Sequence, residues 1–138
     1  MAEKASVNTT VFVNAIQRLA EGLTRYQLDE NDSQIRDGLI QRFEFTYEIS
    51  HKIIKRYLTQ VTPSPTEFDN ADFQYLIRSA NEHGLLLGDW NSWKRYRDMR
   101  SRTSHTYNEA IAFEVIAEIP SFLNEVEFLA DQLGKRLS

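Results

Sequence analysis

The chain has 138 residues, with 20 acidic and 16 basic side chains, a formal charge of −4 at pH 7 and no cysteine. The lack of cysteine excludes disulfide frameworks, thiolate metal sites and a cysteine nucleophile. Three histidines are few ligands for a metal, so we expect neither a metal site nor a cofactor. The negative charge argues against nucleic acid coating the whole surface, but it is compatible with a local basic site.

The hydropathy of the chain predicts neither a secretory signal nor a membrane span. The first ten residues hold no apolar run of signal-peptide length, and no window approaches the roughly 20 apolar residues that cross a bilayer. The length is close to the commonest size of a domain. We therefore expect one cytoplasmic domain over residues 1–138, without membrane contact.

Apolar residues at helical spacing predict two long helices in the first half of the chain. The first is predicted over residues 9–26, with an apolar stripe that includes Val11 and Ala15. The second follows Ser33 and is predicted to end near Leu58. The stretch 59–68 contains two of the three prolines and is predicted to be a loop.

Three further helices are predicted in the second half. Asp69 is a candidate cap for a third helix that Gly84 stops, and a fourth starts near Asp89. The last helix is predicted over residues 108–133, with a kink at Pro120. Five helical segments with short connections predict an all-α fold, an antiparallel four- to five-helix up-and-down bundle.

One segment is unlike the rest of this acidic chain. Residues 94–102 carry a net charge of +4, from five cations and one anion, and aromatic residues are interleaved with them. Such a segment suits a phosphate-rich ligand with stackable bases, and the alternative is a solvated helix face. The cations are Lys94, Arg95, Arg97, Arg100 and Arg102, and the aromatic residues are Trp90, Trp93, Tyr96 and Tyr107.

His105 follows Arg100 by five residues. On a continuous helix this spacing places the two side chains about 140° apart, so they would not share one face. Their convergence requires a helix break or a second subunit. Thr103 and Ser104 are residue types that favour helix caps over helix interiors. A helix break between Arg100 and His105 is therefore a reasonable expectation.

The other titratable candidates are interpreted as structural. His51 lies beside three basic residues and is expected at the surface, and His83 is expected near a helix C-terminus. Glu44 and Glu48 form an i,i+4 pair that is expected to face solvent. Trp90 and Trp93 are interpreted as core or interface anchors, with base stacking as the alternative.

Residues 100–107 fit the R-x4-H-x-Y signature of HEPN-domain toxins, the HepT-like partners of minimal nucleotidyltransferases. Residues 41–48 and 52–58 also resemble a helix of the substrate-binding branch of that family. The resemblance covers roughly residues 10–133.

This resemblance implies a specific function. HEPN toxins are metal-independent ribonucleases that dimerise, so that the arginine and histidine of both copies line one cleft. Their partner nucleotidyltransferase neutralises them by attaching AMP to the motif tyrosine. Carried over, Arg100 and His105 would be catalytic and Tyr107 modified. RNA phosphates would bind the remaining cations of the segment, Lys94, Arg95, Arg97 and Arg102.

Two alternatives remain at this stage. The chain could be a non-catalytic substrate-binding or adaptor subunit of a two-component nucleotidyltransferase, or an unrelated helical nucleotide-binding module. An adaptor has no need of Arg100, His105 and Tyr107 in register, which favours the toxin. The unrelated module leaves the resemblance of residues 41–48 unexplained.

Overall fold

The structure is a computed structural model that describes residues 7–64 and 66–137. These ranges contain no strand, and the predicted all-α class is confirmed. Pro65, on which the loop prediction partly depended, lies outside the described residues, as do residues 1–6 and 138. The helices are α1 (Thr10–Leu28), α2 (Ser33–Val61), α3 (Phe73–Glu82), α4 (Trp90–Arg102) and α5 (Glu109–Leu137).

Four of the helices form an up-and-down bundle. The Thr46 hydroxyl of α2 contacts the Ala15 carbonyl, whereas Arg42, one turn earlier on α2, bonds the Arg18 carbonyl one turn later on α1. These two helices are therefore antiparallel. Ion pairs between Arg95 and Glu118 and between Arg102 and Glu114 make α4 and α5 antiparallel as well. The short α3 lies in the connection between α2 and α4.

Aromatic rings fill the centre of the bundle. Phe122 of α5 lies 5.0 Å from Phe43, 5.3 Å from Tyr96 and 6.2 Å from Trp93, measured between ring centroids. Trp93 and Tyr96 are almost completely buried, since they occupy the inward face of α4. The interpretation of Trp93 as a core anchor is confirmed. Neither residue can stack on a base without unpacking the core.

Two helix boundaries differ from the prediction around the loop after α2. The helix continues to Val61, past the predicted end at Leu58, because a proline two residues further on does not disturb it. The cap of α3 is Asp72, whose carboxylate accepts the Tyr75 N–H at 2.8 Å. The prediction of Asp69 as this cap was wrong, because Asp69 lies in a turn before the helix, where its N–H donates to the Thr66 carbonyl.

The other helices begin within one residue of the prediction, but α5 continues to Leu137, four residues past its predicted end, and α1 continues to Leu28. The register of α1 also differs. Its buried stripe begins with Phe12 and Ile16 instead of the predicted Val11, which is 63% exposed, and Ala15. Leu19 and Tyr26, which belong to the same predicted stripe, are buried. Gly84 ends α3 with a φ of 72°, a conformation that favours glycine. Helix α5 continues through Pro120, and the kink stays a prediction. Within the described ranges, no helix is long and apolar enough to span a membrane.

Candidate active site

A break in the helix separates Arg100 from His105. Helix α4 ends at Arg102, and Thr103–His105 form a single 3-10 turn before α5 begins. The buried Thr103 hydroxyl donates to the Arg100 carbonyl at 2.7 Å and accepts from the Arg100 guanidinium at 3.1 Å. This satisfies a carbonyl at the end of α4. The break that Thr103 and Ser104 predicted is therefore confirmed.

The Arg100 guanidinium is held between two carboxylates of α2. Its Nε donates to Glu48 Oε1 at 2.9 Å, and its Nη1 lies 3.6 Å from Glu44 Oε2. The side chain of Arg100 is partly exposed, to 32%. Glu48 faces solvent as expected, with 47% of its side chain exposed, and Glu44 is 32% exposed. The sequence did not predict that both bind the predicted catalytic arginine.

His105 and Tyr107 project together from the junction between α4 and α5. Both are exposed, Tyr107 to 84%, and the Tyr107 hydroxyl lies 3.4 Å from His105 Nδ1. Asn108 caps α5 by accepting the Ala110 N–H at 3.0 Å. Tyr107 therefore precedes the helix and is not packed against it. An imidazole and a phenol hydroxyl thus meet at one solvent-facing position, with Arg100 at the end of the preceding helix.

The structure divides the basic segment into two groups. Arg95 pairs with Glu118 of α5 at 3.5 Å, and Arg102 pairs with Glu114 of the same helix. These carboxylates offset much of the positive charge on that side. On the other side of α4, the Arg97 guanidinium lies 5.8 Å above the centre of the Phe73 ring. Lys94 is exposed to solvent.

His51 of α2 is packed rather than freely exposed. Its ring lies edge-on to Phe73, at 4.9 Å between centroids. Burial lowers the pKa of His51, and the positive charges of Lys55 and Arg97 lower it further, whereas Glu48 acts in the opposite direction. The expectation of a surface histidine is met only in part, because the ring is partly buried.

His83 lies where the sequence predicted it, at the C-terminal cap of α3. Its Nδ1 lies 2.8 Å from the Ser79 carbonyl. Over residues 7–64 and 66–137, the structure shows no group of three or more histidine, aspartate or glutamate side chains that could hold a metal ion.

Known proteins resemble the chain over most of its length. A protein of Haemophilus influenzae named "probable ribonuclease HepT" is 37% identical over 142 residues, covering 99% of this chain and 97% of the relative. A solved H. influenzae structure, described as the substrate-binding domain of a nucleotidyltransferase, is 36% identical with a TM-score of 0.85. It covers 91% of this chain and 98% of its own.

A solved structure from Thermus thermophilus is 30% identical, with a TM-score of 0.72, and covers 88% of this chain and 98% of its own. Residues 7–135 match the family described as "nucleotidyltransferase substrate binding protein like". The family match spans every helix of the bundle and the junction that carries His105. The chain therefore belongs to the HepT-like family of nucleotidyltransferase substrate-binding proteins.

Proposed function

We propose that the chain is a metal-independent endoribonuclease toxin whose catalytic residues are Arg100 and His105. The observation that carries this proposal is the arrangement at the helix break. An exposed His105 imidazole lies beside the Tyr107 hydroxyl, directly after the helix end that bears Arg100. The name of the H. influenzae relative supports a ribonuclease.

This residue set suits RNA cleavage because RNA carries its own nucleophile. A histidine removes the proton of the 2′-hydroxyl, and the oxygen attacks the adjacent phosphorus. The bond to the 5′-oxygen breaks, and that oxygen takes a proton from an acid, leaving a 2′,3′-cyclic phosphate and a 5′-hydroxyl. An arginine stabilises the negative charge that builds up on the phosphorane. Histidine is the side chain that ordinarily titrates near neutral pH and can serve as base or acid.

The second proton transfer is the reason to propose a homodimer. Among the described contacts, Arg100 bonds to α2 and to Thr103, while His105 contacts Tyr107, and the two are not hydrogen-bonded to each other. A second copy across the cleft supplies a second histidine, so that one acts as base and the other as acid. We propose that the basic residues Lys94, Arg95, Arg97 and Arg102 border this cleft and attract RNA.

The proposed antitoxin is a cognate minimal nucleotidyltransferase that modifies Tyr107. The Tyr107 oxygen attacks the α-phosphorus of ATP, pyrophosphate leaves, and the phenol proton is released to solvent. The product carries AMP next to His105. Its bulk and negative charge occupy the position that an RNA phosphate requires, so inhibition follows from exclusion and repulsion.

The second candidate function is a non-catalytic subunit that presents a substrate to a nucleotidyltransferase. One observation favours it: the Arg100 guanidinium already forms ion pairs with Glu44 and Glu48, which compete with a phosphate for it. The description of the H. influenzae structure is of this kind. A single measurement distinguishes the two functions, because only the first predicts that the isolated chain cleaves RNA.

The test is cleavage of single-stranded RNA by the purified full chain in EDTA. We expect His105→Ala and Arg100→Ala each to lower the rate by about 10²- to 10⁴-fold, with helical circular dichroism unchanged. His83→Ala is the matched control, because this exposed histidine lies on α3, away from the junction. An RNA-inactive wild type, or a strict need for added divalent metal, would overturn the proposal.

The composite site has its own test. Light scattering at micromolar concentration should give the mass of a dimer. Because the proposed mechanism uses the histidines of both copies, a heterodimer of one wild-type and one His105→Ala chain should lose most of its activity, so an excess of His105→Ala chains should inhibit the wild type. A fully active monomer would contradict the shared cleft and leave the catalytic assignment standing.

A further inference from the structure

A second group of basic side chains surrounds Phe73, next to the candidate active site. The Arg97 guanidinium of α4 lies over the Phe73 ring, and the His51 ring of α2 contacts its edge. Lys55 follows His51 by four residues on α2, so the two side chains lie on one face of that helix. Residues from α2, α3 and α4 thus meet in one basic cluster, which consists of His51, Lys55, Phe73 and Arg97.

The basic cluster continues from Arg100 along the groove between α2 and α4. On α4, Arg97 precedes Arg100 by three residues, and on α2, His51 follows Glu48 by three residues. The two helices are antiparallel, and Glu48 and Arg100 contact each other across the groove. The cluster therefore lies about one helical turn, roughly 5.4 Å, from the arginine that the proposed cleavage uses.

The basic cluster differs from the rest of the basic segment in its acidic neighbours. Among the described ion pairs, none includes Arg97 or Lys55, whereas Arg95 pairs with Glu118. Of the acidic residues near the cluster, Glu48 is bound by Arg100, and Asp98 follows Arg97 directly in the chain. Cations without carboxylate partners can bind an anionic ligand without first giving up an ion pair within the chain.

Phe73 gives Arg97 a defined position. A guanidinium over an aromatic face is held by the charge distribution of the ring, yet its N–H groups remain able to donate to phosphate oxygens. Phe73 is itself only partly buried and contacts Trp90 at 5.8 Å between centroids. The arginine is therefore oriented before any ligand binds, which reduces the entropy lost on binding.

We infer that His51, Lys55 and Arg97 form a second phosphate subsite, which holds the backbone of single-stranded RNA next to the phosphate that is cleaved. The inference rests on the proposed function, because it names where the substrate of that site continues. It also adds two residues, Lys55 and His51, to the proposed RNA surface.

The experiment measures binding of a fluorescein-labelled single-stranded RNA to the full chain with His105→Ala, so that the RNA stays intact. The test variant adds Lys55→Gln and Arg97→Gln. The matched control adds Arg18→Gln and Arg56→Gln, which removes the same charge from two exposed positions on α1 and α2. Arg56 follows Lys55 by one residue and points about 100° away around α2.

We expect the test variant to bind RNA at least about tenfold more weakly, and the control to change less than about twofold. The slope of log affinity against log salt concentration should become shallower by up to roughly 1.4 in the test variant, about 0.7 for each of the two cations removed. In the cleaving chain, the same pair of substitutions should raise KM and leave kcat nearly unchanged.

Each other outcome separates the two proposals. Equal losses in the test variant and the control overturn the subsite, because they would report net charge alone. Unchanged RNA binding together with weaker binding of the cognate nucleotidyltransferase also overturns it, because the cluster would then be a protein-docking surface. If the wild type cleaves no RNA but the test variant still binds RNA more weakly, the proposed ribonuclease fails and the cluster stands only as an RNA-binding site.

Discussion

Arg100 and Glu48 are 52 residues apart in the chain, yet the Arg100 Nε donates to the Glu48 carboxylate at 2.9 Å. The contact joins α4 to α2 at the end of the bundle that bears His105. It keeps the guanidinium in place in the free chain, and it also sets a carboxylate in competition with any phosphate that approaches Arg100. The strength of that competition is measurable.

Glu48→Gln should raise the affinity for RNA. The amide oxygen can still accept from Arg100, so the guanidinium keeps its position, while the negative charge that competes with phosphate is gone. Because both side chains are partly exposed, we expect a gain of only about two- to fivefold, measured by RNA anisotropy with His105→Ala. Glu127→Gln on α5 removes the same charge from an exposed position and serves as control. Weaker binding in Glu48→Gln would show that the carboxylate is needed for positioning alone.

Glu125→Ala should destabilise the fold without touching the site. The Glu125 carboxylate is 1% exposed and accepts the backbone N–H groups of Leu87 and Gly88, each at 2.7 Å, which fixes the connection between α3 and α4. Its loss leaves two donors unsatisfied, so we expect the free energy of unfolding to fall by about 2–4 kcal/mol.

Urea denaturation of Glu125→Ala and Glu127→Ala makes the comparison. Glu127 is exposed two residues further along α5, and its replacement should change the free energy of unfolding by less than about 0.5 kcal/mol. Similar values for the two variants would show that the buried carboxylate contributes no more than a surface residue.

His51 should make the fold less stable in mild acid. Burial, assisted by Lys55 and Arg97, lowers its pKa in the folded chain below the ordinary histidine value of 6.5. The folded state then binds fewer protons than the unfolded state once the pH falls below 6.5, so its stability decreases until the pH reaches the lowered folded pKa. Above 6.5 the effect is absent.

Urea midpoints of the wild type and His51→Gln at pH 7.5 and pH 5.0 check this prediction. The decrease between the two pH values should be smaller in the variant, because glutamine does not titrate. Other groups titrate equally in both chains and cancel in the comparison. An equal decrease in the two chains would contradict the assignment to His51.

The helices could be predicted because their signals are local. Asp89 caps α4 by accepting the Asn91 N–H, and Gly84 supplies the left-handed residue after α3, and both were evident from residue type and position. The cap of α3 was not, because Asp69 and Asp72 are three residues apart and both suit a cap. The choice between them depends on how the preceding turn packs.

The partners of the site residues could not be predicted in the same way. The residue types identified Arg100, His105 and Tyr107 as site residues. They did not predict that Arg100 forms an ion pair with Glu48, or Arg95 with Glu118. Those contacts depend on how α4 is rotated about its axis, which the packing of buried Trp93 and Tyr96 fixes. A count of charges along the segment therefore overestimated the free basic surface.

Tyr107→Phe should separate the activity of the chain from its neutralisation. The phenol hydroxyl takes no part in the proposed cleavage, so the variant should still cut RNA and inhibit growth. It lacks the oxygen that would attack ATP, and co-expression of the cognate nucleotidyltransferase should no longer protect the cells. Intact mass after incubation with that enzyme and ATP should rise by whole AMP units in the wild type and stay constant in the variant.

Tyr75→Phe is the matched control for this substitution. Tyr75 is 46% exposed, but its hydroxyl donates to Glu67 at 2.6 Å and lies on α3, away from His105. If the nucleotidyltransferase selects tyrosines by exposure alone, it should modify both Tyr75 and Tyr107. If it selects the tyrosine beside the His105 imidazole, it should modify only Tyr107. AMP on Tyr75, or continued protection of cells that carry Tyr107→Phe, would show that the antitoxin acts elsewhere on the chain. Protection lost in Tyr107→Phe and kept in Tyr75→Phe would place the inhibitory phosphate at the helix junction, where it blocks the approach of RNA to Arg100 and His105.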